Sequence, residues 1–257
     1  MAELREAFQA QASAIREHAP AVQPDADPEE LHKLRVAIRR MRALLRAARP
    51  LIDDERAEPL RSKLGDVGRA LGPARDADVL AAYVEQATAD LDEGTAPARL
   101  LARVAAERRE AYAAARGLLD ARSFDRLMRE VDTFSATVVI RDAPLNGLVN
   151  TESKKLRKAM RDIETDEGLH RARVQAKRLR YAAEVVGDEK VVARAKEFQD
   201  VVGEHQDAVV AEERLRALAK PSTALLVGRL IERQESRRAD ARRTVPKAWK
   251  RLEKTTG

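Results

Sequence analysis

Apolar residues recur at three- and four-residue intervals through most of the chain, as a helix of ~3.6 residues per turn requires of its buried face. The segment 31–49 spaces Leu34, Ile38, Met41 and Leu45 in this way, and the segment 169–183 does so with Leu169, Ala172, Ala176, Leu179 and Ala183. Strand-type alternation is confined to the short stretch Thr137–Ile140, inside the least regular connection, Thr137–Asn150. Helix punctuation agrees with the periodicity. In Asp27-Pro28-Glu29-Glu30, Asp27 can cap a helix, Pro28 suits the first helical position and Glu30 completes a capping box. That helix is expected to reach Arg49 and to stop at Pro50. Gly72-Pro73 separates two further helices, Asp90–Pro97 and Gly187-Asp188 read as turns, and Pro221 opens another helix. The pattern predicts an all-α protein of about a dozen helices.

A repeat divides the chain. Residues 31–42 read LHKLRVAIRRMR and residues 169–180 read LHRARVQAKRLR, both fitting L-H-[KR]-x-R-V-x-x-[KR]-R-x-R. Downstream, Leu64-Gly65-Asp66 with Arg75-Asp76-Ala77 is echoed by Phe198-Gln199-Asp200 with Gln206-Asp207-Ala208, with a slip of a few residues in between. One basic helix recurs easily by chance; the pattern together with its downstream companion does not. The chain therefore reads as one domain over 1–257 built from two related antiparallel bundles, residues 1–140 and 141–257.

Charge changes the picture most within the repeat. At roughly 100° per residue, His32, Arg35, Arg39, Arg42 and Arg46 fall within roughly 80° of one another, beside the apolar face, and Arg49 continues the line. His170, Arg173, Lys177 and Arg180 form the matching stripe. A third row, Lys154, Arg157 and Lys158 with Arg161, precedes the second motif. From Leu31 through Leu51 there are seven bases and no acid. The i,i+4 pairs Arg35/Arg39 and Arg42/Arg46 then repel by roughly 0.2–0.5 kcal/mol each. A solvated wall would interleave Glu, as Ala105–Arg116 does with Glu107 and Glu110. The unanswered row implies a negative partner, either bound or supplied by another part of the fold. Paired histidines, each three residues before an Arg on the same stripe, suit N–H donation to a phosphate oxygen. His18 and His205 stand outside the motif and are given no function.

Composition narrows the classes. Of 257 residues, 44% are hydrophobic but only 3% aromatic and 36% are charged, so the core must rest on Ala, Leu, Val and Ile. The net charge, +6 from 49 bases and 43 acids, matters less than its distribution. The absence of Cys excludes disulfides, thiolate metal sites and cysteine nucleophiles. The N-terminal MAELREAF carries acids where a signal peptide needs bases, and no run approaches ~18 apolar residues, so a cytoplasmic protein with no membrane segment is expected. There is no Walker loop, GxGxxG, GxSxG, HxxxH or HExxH, so no catalytic residue, metal or cofactor is assigned.

Three features together resemble the CHAD family, α-helical domains named for their histidines: His32 to Val36 with Arg39-Arg40, the partner His170–Tyr181, and Leu71-Gly72 to Arg75-Asp76. The likeness covers nearly the whole chain. It implies two pseudo-symmetric bundles around a basic central cavity, and binding of inorganic polyphosphate, sometimes within polyphosphate granules. Carried over position by position, the implied site is His32, Arg35, Arg39, Arg40 and Arg42, with His170, Arg173, Lys177, Arg178 and Arg180. Such domains often accompany triphosphate-processing CYTH domains; none occurs in these residues, so a stand-alone binding module is expected. Two departures stand out. Ala172 replaces Leu34, and Glu184 falls where Arg46 would repeat, which shortens the second stripe.

Other polyanions remain admissible ligands. Nucleic acid is disfavoured because no aromatic residue interleaves the first stripe to stack bases. A polyphosphate- or triphosphate-processing enzyme is disfavoured by the missing metal pattern, and a scaffold for an acidic protein is the remaining rival. The repulsion within each stripe predicts that Arg35→Ala/Arg39→Ala and Arg173→Ala/Lys177→Ala leave the free protein at least as stable as the parent.

Overall fold

The helical periodicity is realised almost throughout. A computed structural model describes residues 2–52, 55–89, 94–141 and 147–256. Among these are ten α-helices: α1 (Ala2–His18), α2 (Pro28–Ala47), α3 (Ala57–Ala70), α4 (Gly72–Thr88), α5 (Ala96–Leu119), α6 (Arg122–Thr137), α7 (Leu148–Ala159), α8 (Asp166–Val186), α9 (Glu189–Leu218) and α10 (Ala224–Thr256), with short 3-10 turns at Met160–Asp162 and Pro221–Thr223. The expected turn residues Asp90–Glu93, and Asp142–Asn146 of the irregular connection, lie outside the described residues. Thr137–Ile140 forms no strand: Ile140 makes an isolated antiparallel bridge with Ile52, and the Arg141 N–H donates to the Leu51 carbonyl at 2.8 Å.

The chain divides into two compact units, Met1–Ala143 and Pro144–Gly257. In the second, four rods follow one another: α7 packs on α8, α8 on α9, and α9 along α10, whose far end returns to α7. The first unit has the same four rods, with the last two broken. Rod three is α3 plus α4, interrupted at Leu71, where Pro73 in the first turn of α4 has no N–H for a continuing helix. Rod four is α5 plus α6, interrupted at Asp120–Ala121, where Ala121 is extended. There α1 packs on α2 and α6, α2 on α3, and α4 on α5.

The cores are aliphatic, as composition requires. Leu34, Ile38, Met41 and Leu45 are buried in the first unit. Leu169, Ala172, Ala176, Leu179 and Ala183 are buried in the second, with Val191, Ala195, Phe198 and Val202 of α9. The few aromatics close each core edge-on, Phe8 against Phe134 at 5.5 Å and Phe198 against Trp249 at 6.0 Å. Ile38 and Ala176, which match in the repeat, face different neighbours. Bulky α2 residues meet Gly65 and Gly68 of α3, where a Cβ on Gly68 would contact Ile38 at 3.7 Å. Small α8 residues meet Phe198 and Gln199 of α9, and Gln199 Nε2 donates to the Ala176 carbonyl at 3.2 Å.

Local caps set where the motif helices start. Asp27 Oδ1 accepts from the Glu29 N–H at 2.9 Å with Pro28 next to it, as expected. The capping box is not completed, because the Glu30 carboxylate instead binds His18 Nδ1 at 2.8 Å and Lys33 Nζ at 3.2 Å. The helix ends at Ala47, two residues short of Arg49. In the second unit Thr165 Oγ1 accepts from the Gly168 N–H at 3.0 Å. Gly187, at φ 79°, closes α8 in the left-handed region, and Asp188 caps α9.

A side chain at Gly168 would collide with the backbone carbonyl of Asp162 and crowd Thr165 Oγ1 at 3.1 Å. Gly168→Ala should therefore destabilise the protein by about 2–3 kcal/mol, the range of rigid overpacking. At Gly203, inside α9, the nearest non-local atom to a Cβ is 3.7 Å away, an ordinary contact. Gly203→Ala should gain about 0.5–1 kcal/mol from helix propensity. Chemical denaturation of the two variants checks both signs.

Candidate functional site

In the first unit the cationic row runs along the edge of α2 that faces rod three. Arg35 is half-buried; its Nη1 donates to the Gly68 carbonyl at 2.8 Å and would stand 3.7 Å from a Cβ on Gly72. The Arg42 guanidinium lies over Gly65, close enough that a Cβ there would meet Nη2 at 3.1 Å. The glycines of α3 and α4 are thus a floor on which the arginines lie.

The charge around this floor is dense. Partial burial lowers the pKa of Arg35; Asp76 opposes the shift, while Arg39 and Arg75 add to it. Burial also lowers Arg42, followed by repulsion from Arg61 and Arg69, with Asp66 opposing. His32 is likewise pushed below the usual imidazole value, first by burial and then by Arg75, with Glu29 opposing and Arg39 and Arg35 adding. Arg61, Arg69 and Arg75 were not among the expected site residues. Arg75 lies in the recurring downstream segment and was legible there. Arg61 and Arg69 have no counterpart in the second unit, and each is paired with its own acid, Glu58 and Asp66.

The second unit repeats the contacts. Arg173 crosses Gly203, its Nη2 standing 3.7 Å from a Cβ placed there, and is 3.9 Å from Asp207 Oδ1. His170 Nδ1 is 3.1 Å from Gln206 Oε1. Setting Gly72 opposite Gly203 puts Arg75 opposite Gln206 and Asp76 opposite Asp207. In both units the motif arginine lies by the glycine. The residue three after it acts on the motif histidine, by charge from Arg75 and by hydrogen bond with Gln206. The aspartate four after it acts on that arginine, by charge from Asp76 and at 3.9 Å from Asp207. The downstream segment recurs because it is the surface on which the basic helix is laid.

Not every expected residue joins these rows. Arg40 and Arg178 lie on the other flank, some 80–160° around each helix from the stripe by its ~3.6-residue turn. Arg178 donates to Gln175 Oε1 at 3.2 Å, and Gln175 in turn binds Glu152 of α7. The third row sits on α7, against that same flank. Arg157 Nη2 donates to the Thr256 carbonyl at 2.7 Å and completes the end of α10, while Lys154 and Lys158 are exposed. Arg46 is exposed at the far end of the first row, where Glu58 feels its charge. Arg180 stacks on Tyr181 at 4.9 Å and pairs with Glu184 at 3.2 Å, so the second row ends on an acid. His18 and His205 serve the fold: His205 is wholly buried, 3.2 Å from Asp166. The fold itself supplies part of the negative charge that the first row lacks in sequence, through Asp66, Asp76 and Glu58 of rod three.

Among the described residues, no group of three His, Asp or Glu side chains could hold a metal ion, and no helix is long and apolar enough to cross a membrane.

An all-α chain of two repeated units, each bearing a basic helix on a glycine floor, defines a class. The CHAD domain model matches residues 6–216, and the chain belongs to that family. Uncharacterized proteins MT2285 and Rv2226 of Mycobacterium tuberculosis are each 31% identical over 213 residues, covering 76% of this chain and 41% of each relative. The chain thus spans less than half the length of these curated relatives. Among solved structures, PptA from Streptomyces chartreusis superposes with a TM-score of 0.78 at 21% identity, covering 96% of this chain and 98% of PptA. The CHAD domain from the plant Ricinus communis gives 0.76 at 24% identity, covering 97% and 90%. At these identities the structural likeness establishes the fold.

The contacts of Arg35 revise the expected stability of the stripe variants. Arg39 is exposed, and Arg39→Ala should change stability by less than about 0.5 kcal/mol, on the favourable side, by relieving repulsion. Arg35→Ala removes the hydrogen bond to Gly68 and should cost about 1 kcal/mol. Thermal melts without ligand separate the two.

Proposed function

We propose that the two cationic rows bind inorganic polyphosphate without turning it over. The observation that carries this reading is the doubled contact set, in which arginines are held at the edge of a core, half-buried and close-packed with other cations. That arrangement suits a ligand with a charge on every repeating group. The CHAD resemblance implies the same ligand class, and association with cytoplasmic polyphosphate granules belongs to the same proposal.

The energetics require many weak contacts. A single exposed ion pair contributes ~0–1 kcal/mol, whereas micromolar binding needs ~8 kcal/mol. Arginine forks bridge neighbouring phosphate oxygens, and partial burial strengthens each contact. With Gln206 Oε1 accepting from His170 Nδ1, the remaining Nε2 donates to a phosphate only when the ring is protonated. A bound polyanion beside His32 likewise favours its imidazolium, which Arg75, Arg39 and Arg35 disfavour in the free protein.

Titration with long-chain polyphosphate at ~150 mM salt should give tighter binding than duplex DNA at equal charge concentration, and an affinity that falls steeply with salt. Equal or tighter DNA binding would favour the nucleic-acid reading. Orthophosphate release with Mg²⁺ or Mn²⁺ would favour an enzyme. Arg35→Ala/Arg39→Ala and Arg173→Ala/Lys177→Ala should each weaken binding; a silent pair would confine the site to the other unit.

Affinity should also rise as pH falls from about 7.5 to 5.5, because the bound state takes up a proton that the His32 imidazole, pushed down by burial and by Arg75, lacks in the free protein. His32→Gln should flatten this dependence, as isothermal titration at both pH values would show.

A further inference from the structure

We propose that Asp76 and Asp207 are resident counter-ions, each holding its motif arginine in the free protein and surrendering it to an incoming polyanion. The inference rests on the polyanion-binding reading above and adds the part that these acids play in it.

The two units carry the same arrangement. In each, an aspartate stands one helical turn after the glycine under the arginine, Asp76 after Gly72 and Asp207 after Gly203. Asp207 Oδ1 is 3.9 Å from Arg173 Nη2, and its side chain is 53% exposed. That distance lets opposite charges attract but is too long for a hydrogen bond. Partial burial of its carboxyl raises the pKa of Asp207; Arg173 opposes the shift first, Glu204 adds to it, and Arg237 and Lys177 also oppose it. Glu204 is bound by Arg237 Nε at 2.8 Å. In the first unit Asp76 is exposed, and its charge is felt at Arg35, where Arg39 and Arg75 repel.

Asp78, two residues beyond Asp76, shows what a structural acid looks like in this fold. Its side chain is 2% exposed; one oxygen accepts from Arg108 Nε at 2.7 Å and the other from the Tyr112 hydroxyl at 2.8 Å. Both of its oxygens are engaged inside the bundle. Asp207 is exposed and loosely held, so solvent and ligand can replace its contact with Arg173.

A loose counter-ion has a defined effect. It offsets repulsion among the bases while the row is empty, and it competes with phosphate when ligand arrives. Removing its charge without changing its shape should therefore tighten binding and weaken the free protein. Opposite charges ~4 Å apart in water shift an equilibrium by about fivefold, an upper figure for an exposed group.

The test uses the full chain with Asp76→Asn, Asp207→Asn and the double variant, titrated with long-chain polyphosphate over a salt series. Each single variant should bind about three- to fivefold tighter. Its salt dependence should steepen by about one counter-ion. Without ligand Asp76→Asn should melt about 2 °C lower, whereas burial offsets the attraction at Asp207, so Asp207→Asn should melt close to the parent. Asp207→Glu, which keeps the charge, should behave as the parent. Unchanged or weaker binding by Asn variants that still melt cooperatively would overturn the proposal and make these residues orienting groups. Failure of the parent to bind polyphosphate would sink the functional reading instead; the melts would then decide the counter-ion role, and Asp76→Asn melting no lower than the parent would overturn it.

Discussion

In each unit an arginine of the second rod comes against the backbone of the third rod at a glycine. Arg35 on Gly68 and Gly72, and Arg173 on Gly203, demand three things at once. The second rod must present the arginine at the margin of its apolar face, where its stem is covered and its guanidinium is not. The third rod must lack a bulky side chain at the crossing. Charges nearby must be arranged so that a half-buried cation is tolerated. The caps at Asp27 and Thr165, the tight approach at Gly168 and the packing of α2 and α8 all serve to fix that crossing.

Much of this was legible in the sequence. The three-and-four spacing of Leu34, Ile38, Met41 and Leu45 identified the buried face, and the bases beside it identified the stripe, because both follow from helical geometry alone. The recurrence of Gln206-Asp207-Ala208 after Arg75-Asp76-Ala77 signalled a partner surface, although not what it touched. Periodicity could not show that Glu30 is drawn away by His18, since the two meet through the packing of α1 on α2. Nor could it show that Arg157 ends on the Thr256 carbonyl, a contact between residues far apart in the chain. Arg61 and Arg69 escaped notice because α3 carries bases and acids in near alternation, the usual signature of a solvated helix.

Arg40 and Arg178 stand apart from the other motif residues in direction. Both match the repeat letter for letter, yet helical geometry sets them on the flank away from the rows. Arg178 reaches Gln175 and, through it, α7. Sequence identity within a helix preserves direction as well as chemistry, and a shared residue can be retained for packing on one face while its neighbours serve the other.

The exchange of volumes between the units has a consequence for assembly. Large α2 side chains are matched to glycines on α3, whereas alanines on α8 are matched to Phe198 and Gln199 on α9. Two halves descended from one pattern could otherwise pair with each other's rods while the chain is still forming. Here α2 against α9 would overfill the contact, and α8 against α3 would leave a void, each a substantial penalty in a close-packed interior. Divergence in side-chain size thus gives each half a private fit, and a chain with duplicated helices is steered toward correct pairing by steric exclusion.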